Sequence, residues 1–401
     1  MKIIEGAVTA PQGFLAAGVT AQIKNKSKKD LAIIYSKRVC NAAGVFTTNV
    51  VKAHCIGINQ EHLADKKAQA IVVNSGNANA CNGEQGLEDT INMASLTADL
   101  LDLKTSDVLV ASTGVIGVNL PMGKVNQGIK EAVKVLSLEG SSDAAQAILT
   151  TDLVTKEIAV EVNIAGKAVR VGAIAKGSGM IDPNMATMLA FITTDANISQ
   201  DCLAQILQDS VEVSYNMISV DGDTSTNDMA LVLANGLADN ELISQVGTDD
   251  YRILQEAFVF VNTYLAKMIA KDGEGATRLI EVIVKNADRQ KEARKIALSI
   301  VSSSLTKTAI YGQDANWGRI LAAAGYAGVE FNPALVDIYL GQVMVAQNGS
   351  GLEFDEIKAK GELQKDQVII TVDLKLGREK ASAWGCDLTP AYIDINASYR
   401  T

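Results

Sequence analysis

The sequence predicts an α+β fold in which helices cover the sheets and the whole chain folds as one body. Apolar runs of strand length, such as 30–37 and 68–75, alternate with longer segments that have helical spacing of apolar residues, such as 86–103. The last part of the chain is rich in strand patterns, and 366–377 alternates cleanly between apolar and polar residues. No internal repeat, low-complexity segment or linker interrupts this pattern.

Composition excludes several classes of function. The 401 residues are 48% hydrophobic and carry a formal net charge of -10. Nucleic acids and anionic membrane surfaces demand clustered lysine and arginine, so neither is expected as a partner. No apolar run approaches the length of a membrane span, and the N-terminus reaches Glu5 before any apolar stretch long enough for export. We therefore expect a cytoplasmic protein.

The cysteines and histidines limit the kinds of metal site and catalytic base that the chain can form. The five cysteines are scattered without a CxxC pair, which fits reduced thiols and no zinc site. Only two histidines are present, His54 and His62, so a histidine-rich metal site is almost excluded. If the protein is an acyl-transfer enzyme, we expect its base to be an amine rather than an imidazole.

The first part of the chain, 1–75, predicts strands and turns. It ends in a loop, NSGNANACNG at 74–83, that is rich in glycine and asparagine. Two interpretations of this loop stay open. Its backbone N–H groups could cradle an anion, or it could be a structural turn.

A predicted strand at 107–112 follows the helix at 86–103 and ends at Thr113-Gly114. Small residues there let a backbone N–H face a pocket, which is the geometry that an oxyanion hole needs. By itself, a Thr-Gly pair after a strand more often marks a turn. Two further helical patterns follow, at 124–137 and 142–149.

Residues 157–177 predict a hairpin that turns at Ala165-Gly166, and the second strand ends with Lys176. A lysine at a strand end is usually solvated. Here its neighbours are alanine, glycine and serine, which would screen the amine poorly.

The stretch 176–195 is the one around which the chain is organised. It contains a Gly-Ser-Gly turn at 177–179, an Asp-Pro-Asn corner at 182–184, and Thr187 at the start of the apolar run 188–192. Glycine tolerates positive φ and proline locks φ, so both fix the backbone at a bend. A threonine held there is well placed to expose its hydroxyl. The alternative is a plain loop leading into a buried strand.

Further helices are expected from Ser199, as the N-cap, to about Ser214, and over 249–270 and 288–305. The segment 221–228 has three carboxylates whose spacing fits no EF-hand loop, so a polar turn supporting the active site is favoured over a cation site.

The end of the chain predicts β-structure. Asn348-Gly349 is a hairpin signal, and 391–401 is expected to form a closing strand and a tail.

Several long motifs resemble segments of one enzyme family, in the same order along the chain. They are KGSGMI at 176–181, PNMATML at 183–189, NSGNANACNG at 74–83, STGVIG at 112–117, TTD at 150–152, DGDTSTND at 221–228, KDGEGAT at 271–277, YGQDANWGRI at 311–320 and INASYRT at 395–401. This set resembles the ornithine acetyltransferase family, the bifunctional glutamate N-acetyltransferases of arginine biosynthesis. The resemblance covers essentially the whole chain.

The resemblance implies a self-cleaving fold of the N-terminal-nucleophile type, of the ornithine acetyltransferase and aminopeptidase kind. Cleavage would fall between Ala186 and Thr187, giving an alpha chain of 1–186 and a beta chain of 187–401. The two chains would fold together, and the family suggests a heterotetramer of two alpha and two beta chains.

The resemblance also implies the site residues. Thr187 is the catalytic nucleophile, and the Thr113 side chain and Gly114 N–H form the oxyanion hole. The substrate contacts fall, by motif, on Thr150, Lys176, Thr187, Glu274, Asn396 and Thr401. The substrates would be N2-acetylornithine and glutamate, with no cofactor and no metal, although some family members also use acetyl-CoA as the acetyl donor.

A threonine nucleophile needs an adjacent base. An unperturbed α-amine has a pKa of roughly 7.7–8.0, so a useful fraction is neutral at physiological pH. Cleavage before Thr187 would create such an amine beside the hydroxyl, which fits the scarcity of histidine.

Two alternatives stay open. In the first, water replaces glutamate as the acceptor, as in the self-cleaving aminopeptidases of similar fold, whose nucleophile is usually serine. In the second, an uncleaved binding protein keeps the fold without the chemistry. Thr187 argues against the aminopeptidase, and the intact Ala186-Thr187 junction argues against the binding protein.

Overall fold

The computed structural model describes residues 1–24, 27–182 and 188–397. These residues form two compact units. Unit 1 consists of Met1–Gly177, Asn184–Asn216 and Asp223–Leu265, and unit 2 consists of Ser178–Pro183, Met217–Gly222 and Ala266–Thr401.

The described residues form sixteen strands and eleven α-helices. The strands are β1 (Lys2–Ile4), β2 (Phe14–Val19), β3 (Leu31–Phe46), β4 (Lys67–Asn77), β5 (Val108–Val115), β6 (Lys156–Ile164), β7 (Lys167–Lys176), β8 (Leu189–Thr194), β9 (Ile218–Ser219), β10 (Met229–Ala234), β11 (Leu279–Ala287), β12 (Asp337–Leu340), β13 (Val343–Gln347), β14 (Ser350–Gly351), β15 (Gln367–Asp373) and β16 (Glu379–Cys386). The helices are α1 (His54–His62), α2 (Gly83–Leu101), α3 (Met122–Lys134), α4 (Ser141–Ala147), α5 (Gln200–Glu212), α6 (Asp249–Lys271), α7 (Gln290–Ser302), α8 (Ser304–Tyr311), α9 (Trp317–Gly325), α10 (Glu356–Leu363) and α11 (Pro390–Asn396).

Unit 1 is built on a nine-stranded sheet in the order β1-β6-β7-β8-β10-β3-β4-β5, with β2 paired to β3. The strands β8 and β10 run parallel, and β7 runs antiparallel to β8. β8 is buried along its whole length, as the apolar run after position 187 predicts.

The core of unit 1 lies between this sheet and the helices α1 to α5 that pack on it. Its buried residues include Phe14, Ile33, Ile71 and Phe191, all without exposed surface. Burial of apolar side chains such as these supplies the main free energy that stabilises the sheet.

Unit 2 contains a seven-stranded sheet in the order β14-β13-β12-β15-β11-β16-β9. The helix α7 packs on β11 and β16, and α10 packs on β12, β13 and β15. Both units therefore combine a sheet with helices that cover it, which confirms the α+β class.

Local patterns predicted most of these elements. The expected hairpin at Ala165-Gly166 is confirmed, and both turn residues have positive φ, 49° and 86°. Ser199 caps α5 as expected, since its side chain accepts a hydrogen bond from the Cys202 N–H. Asn348-Gly349 turns β13 into β14.

Two local predictions were wrong. The helix α1 lies within the segment that predicted only strands and turns. The expected closing strand is instead the helix α11, which begins with Pro390 at its first position. Proline is favoured there because its fixed φ suits a helix start and its missing N–H would be unsatisfied anyway.

Among the described residues, no helix is long and apolar enough to cross a membrane.

The close approach of Gly172 on β7 to the backbone of Ala7 gives a test of the packing in unit 1. A Cβ at Gly172 would lie 1.8 Å from the Ala7 carbonyl oxygen. We expect Gly172→Ala to lower the free energy of unfolding by about 1–3 kcal/mol or more, because the backbone must shift. Gly57→Ala on α1 is the control, since a Cβ there meets nothing within 4 Å. Equal stabilities of the two variants in chemical denaturation would contradict this packing.

Candidate active site

Lys176 is the centre of a buried polar cluster in unit 1. It ends β7, where it pairs with Leu189 at the start of β8. Its Nζ donates to Thr150 Oγ1 at 2.8 Å and lies 3.4 Å from Thr113 Oγ1. The side chain is only 4% exposed, so Lys176 is not a solvated strand-end charge. Three of the predicted site residues therefore meet at one point.

Asp152 anchors this cluster, although it was not among the predicted site residues. Its Oδ1 accepts from Lys156 Nζ at 2.8 Å and from the Gly177 N–H at 2.7 Å. Its Oδ2 accepts from the Thr150 N–H at 3.1 Å and lies 3.8 Å from Lys176 Nζ. The only signal for Asp152 in the sequence was its place in the TTD motif. A lone aspartate after two threonines does not reveal that two buried lysines will be its partners.

The ionisation of Asp152 follows from these contacts. Burial by itself raises the pKa of the carboxyl, but the charges of Lys176 and Lys156, with the hydrogen bonds, outweigh it and lower the pKa to about 2. The carboxylate is therefore ionised at neutral pH. Two lysine side chains face this one carboxylate.

Thr113 and Gly114 lie at the end of β5, as predicted. Because Thr113 Oγ1 is within reach of the Lys176 ammonium as an acceptor, its own hydroxyl hydrogen is left to donate elsewhere. Gly114 has a φ of 136°, and a Cβ there would lie 2.3 Å from the Gly76 carbonyl carbon. Only glycine fits at position 114.

The segment 74–83, predicted as a loop, comprises the end of β4 and the turn into α2, and it braces the end of β5. Asn74 Oδ1 accepts from Ser112 Oγ at 2.7 Å, and Asn79 Nδ2 donates to the Gly86 carbonyl at 2.8 Å. Backbone N–H groups of this segment are also engaged, since the Ala78 N–H donates to the Val115 carbonyl and the Asn79 N–H donates to Asn77 Oδ1, which favours the structural turn over the anion cradle. Asn227, within 221–228, donates to the Ser112 carbonyl at 2.8 Å, so this segment also supports the strand that carries Thr113.

Unit 2 holds a second cluster, formed by Glu274 and Asn396. Asn396 Nδ2 donates to Glu274 Oε2 at 2.8 Å, and Glu274 is 7% exposed. A Cβ at Gly179 would lie 2.3 Å from the same carboxylate, so the glycine gives Glu274 its space. In the part of the chain that the structure describes, no lysine or arginine forms an ion pair with Glu274.

The other predicted site residues, Ala186, Thr187 and Thr401, lie outside the described residues. Across 1–24, 27–182 and 188–397, no group of three or more histidine, cysteine, aspartate or glutamate side chains could hold a metal ion.

Comparison with known proteins decides the family. The sequence profile of the ArgJ family matches residues 15–401. The chain belongs to the ArgJ family. The predicted recognition is thereby confirmed, as is an acyltransferase of arginine biosynthesis at the level of the family.

ArgJ proteins from several bacteria are similar along their full length. The "Arginine biosynthesis bifunctional protein ArgJ" of Caldanaerobacter subterraneus subsp. tengcongensis is 54% identical, and the alignment covers 100% of both chains. The protein of the same name from Thermotoga neapolitana is 55% identical over 98% of this chain and 99% of its own. A solved ArgJ chain from Bacillus halodurans is 47% identical with a TM-score of 0.51, and covers 52% of this chain and 98% of its own.

The shared carboxylate of this ArgJ family member gives a test. We expect Asp152→Asn to lower the free energy of unfolding by roughly 3–5 kcal/mol, because two buried lysines lose their counter-charge. Asp201→Asn is the control, since its ion pair with Lys66 is exposed and is worth at most about 1 kcal/mol. Chemical denaturation measures both.

The pH dependence of the free energy of unfolding tests the direction of the Asp152 pKa shift. The pKa of Asp152 in the folded chain, about 2, is below the ordinary value of 3.8, so the carboxylate stabilises the fold above that value. This stability is lost as the pH falls towards 2. In Asp152→Asn, we expect this part of the acid destabilisation to vanish. A free energy of unfolding that falls with decreasing pH as it does in the wild type would contradict this expectation.

Proposed function

We propose that this chain is a self-processing acetyltransferase that transfers the acetyl group of N2-acetylornithine to glutamate. The observation that carries the proposal is the meeting of Lys176, Thr150 and Thr113 beside the start of β8, two residues after Thr187. In this ArgJ family member, a lysine amine and a threonine hydroxyl therefore lie beside the strand that follows the proposed nucleophile in the sequence.

The half-length solved relative supports cleavage. Just over half of this chain aligns with 98% of the Bacillus halodurans ArgJ chain, so that chain is about half as long. Position 186 is close to the middle of the 401 residues. A protein divided between Ala186 and Thr187 would give chains of this size.

The sheet of unit 1 would hold the proposed alpha chain (1–186) and beta chain (187–401) together. β8 and β10 follow position 187, and they lie between β7 and β3, which precede it. Cutting the bond would leave these backbone hydrogen bonds in place. We further propose the heterotetramer of two alpha and two beta chains, and a cytoplasmic location.

In turnover, the free α-amine of Thr187 takes the proton of its own hydroxyl, and the oxygen attacks the acetyl carbonyl carbon of N2-acetylornithine. Thr113 and the Gly114 N–H stabilise the oxyanion, at roughly 3–4 kcal/mol for each well-placed donor. The intermediate collapses by breaking the C–N bond, ornithine leaves with the proton, and an acetyl-threonine ester remains.

Glutamate then reacts with the ester. Its α-amine attacks the acetyl carbon, the C–O bond to Thr187 breaks, and the released proton returns to the threonine oxygen. N-acetylglutamate leaves and the enzyme is restored. Because the first product departs before the second substrate reacts, the kinetics are ping-pong.

Charge complementarity supports the proposed substrate contacts. Both substrates carry a carboxylate, which suits the Lys176 amine. Glu274 is a largely buried carboxylate, and a buried charge needs a partner. The side-chain ammonium of the ornithine part would supply it. Thr150, Asn396 and Thr401 complete the proposed contacts.

The names of the ArgJ relatives describe bifunctional proteins. This supports a second activity, in which acetyl-CoA also donates the acetyl group to glutamate. No resident cofactor takes part in either reaction.

Intact mass spectrometry under denaturing conditions tests the nucleophile. We expect the wild-type protein to give two chains, 1–186 and one beginning at Thr187. Thr187→Ala removes the attacking hydroxyl and should stay whole and inactive. A wild-type protein that remains one unbroken chain and yet transfers acetyl groups would rule out this mechanism.

Glu274→Gln tests the ammonium contact. Loss of a charge-assisted hydrogen bond of roughly 1.5–3 kcal/mol should lower kcat/KM for N2-acetylornithine by about 10–100-fold. The KM for glutamate, which has no side-chain amine, should change little. Glu379→Gln removes the same charge from an exposed site in unit 2 and is the control. Equal losses for both substrates would contradict the assignment.

A further inference from the structure

The proposed self-cleavage raises a problem of proton transfer. In turnover, the α-amine of Thr187 is the base. Before cleavage, this nitrogen is part of the Ala186-Thr187 peptide bond and cannot accept a proton. The hydroxyl must lose a proton and the leaving nitrogen must gain one, so another group has to carry it. This step rests on the proposed function.

Both histidines pack against other elements. His62 Nδ1 lies 2.7 Å from the Val108 carbonyl oxygen at the start of β5, and His54 packs against Gly86 of α2. Lys176 Nζ is directed at Thr150 Oγ1, to which it donates, and at the Asp152 carboxylate 3.8 Å away.

Asp228 is the group that the sheet brings to the cleavage segment. It directly precedes β10, whose Met229 pairs with Leu189 of β8 in a parallel register. The Met229 N–H donates to the Met188 carbonyl at 3.1 Å. The register therefore puts Asp228 beside Met188, the residue that follows Thr187.

The chemical state of Asp228 suits a proton carrier. The residue is 1% exposed, and burial raises the pKa of its carboxyl well above the usual range. The Met188 N–H and the charge of Lys176 oppose this shift only in part. The carboxyl is therefore held towards its neutral form.

One oxygen of this carboxyl is uncommitted. Within the described part of the chain, Asp228 Oδ2 is buried and has no hydrogen-bond partner. Buried polar atoms in folded proteins nearly always have one. Asp228 Oδ2 therefore lacks the partner that such an atom needs, and the register places its residue beside Met188, which follows Thr187 in the sequence.

We propose that the Asp228 carboxyl is the proton relay of the self-cleavage at Ala186-Thr187. As Thr187 Oγ attacks the Ala186 carbonyl carbon, one carboxyl oxygen accepts the hydroxyl proton and the other gives its proton to the Thr187 nitrogen. The C–N bond breaks, the ester C–O bond forms, and Asp228 ends neutral as it began. Water then hydrolyses the ester and frees the two chains.

The test compares Asp228→Asn with Asp228→Glu. Asparagine keeps the shape but cannot relay a proton. Glutamate keeps the carboxyl but forces an extra methylene into a filled site, so it should lower Tm more. If Asp228 only supports the structure, Asp228→Asn should cleave faster than Asp228→Glu. If its carboxyl is the relay, Asp228→Glu should cleave faster than Asp228→Asn. General acid–base catalysis is typically worth 10²–10⁴-fold, so we expect Asp228→Asn to cleave at least about 100-fold more slowly than wild type.

Asp195→Asn is the matched control. Asp195 is also buried with a raised pKa, but it follows β8 at the strand's other end and accepts from the Gln12 and Arg170 N–H groups. Each full-length chain is purified, and cleavage is followed by intact mass spectrometry together with Tm. Asp195→Asn should give two chains like wild type.

The outcomes separate the relay from the proposed function. Wild-type cleavage with equally fast Asp228→Asn cleavage would overturn the relay alone. Cleavage rates that fall in the same order as the Tm values of Asp228→Asn and Asp228→Glu would also overturn the relay. Failure of both variants to fold would overturn it as well. A wild-type chain that stays whole would overturn the proposed cleavage and the relay with it.

Discussion

The buried carboxylate of Asp152 is the interaction on which the site depends. It holds Lys156 and Lys176 in a part of unit 1 where neither charge meets water. It also fixes the backbone at both Thr150 and Gly177 through their N–H groups. Buried ions are costly unless they are paired and hydrogen-bonded. Retaining three of them together secures a defined backbone path at Thr150 and at the end of β7.

The sheet of unit 1 supplies the second constraint. β8 is a central, fully buried strand with neighbours on both sides, so the residues at its start are held from two directions. Lys176 reaches this point from β7, and Asp228 reaches it from the start of β10. The proposed cleavage site precedes this strand in the sequence, and the strand register determines which side chains reach the start of the strand.

The chemistry follows from the scarcity of histidine. In the proposed scheme, an α-amine serves as the base in turnover, and a buried carboxyl carries the proton in the single cleavage that creates this amine. The environment of the α-amine and that of the carboxyl suit the two groups to these steps. An α-amine titrates near neutral pH without help, whereas a carboxyl needs burial to be neutral there. The two steps therefore place different demands on unit 1.

The sequence by itself determined the family motifs, most of the helix and strand patterns and the two hairpin turns, because these depend on residues close together in the chain. It missed the helices α1 and α11. The tertiary structure decided that Asp152 pairs with two buried lysines and that Asp228 stands beside Met188. Periodicity tells which face of a strand is buried, but not which distant strand lies next to it. The order β7-β8-β10 brings together residues some forty positions apart, and only packing and register could select it.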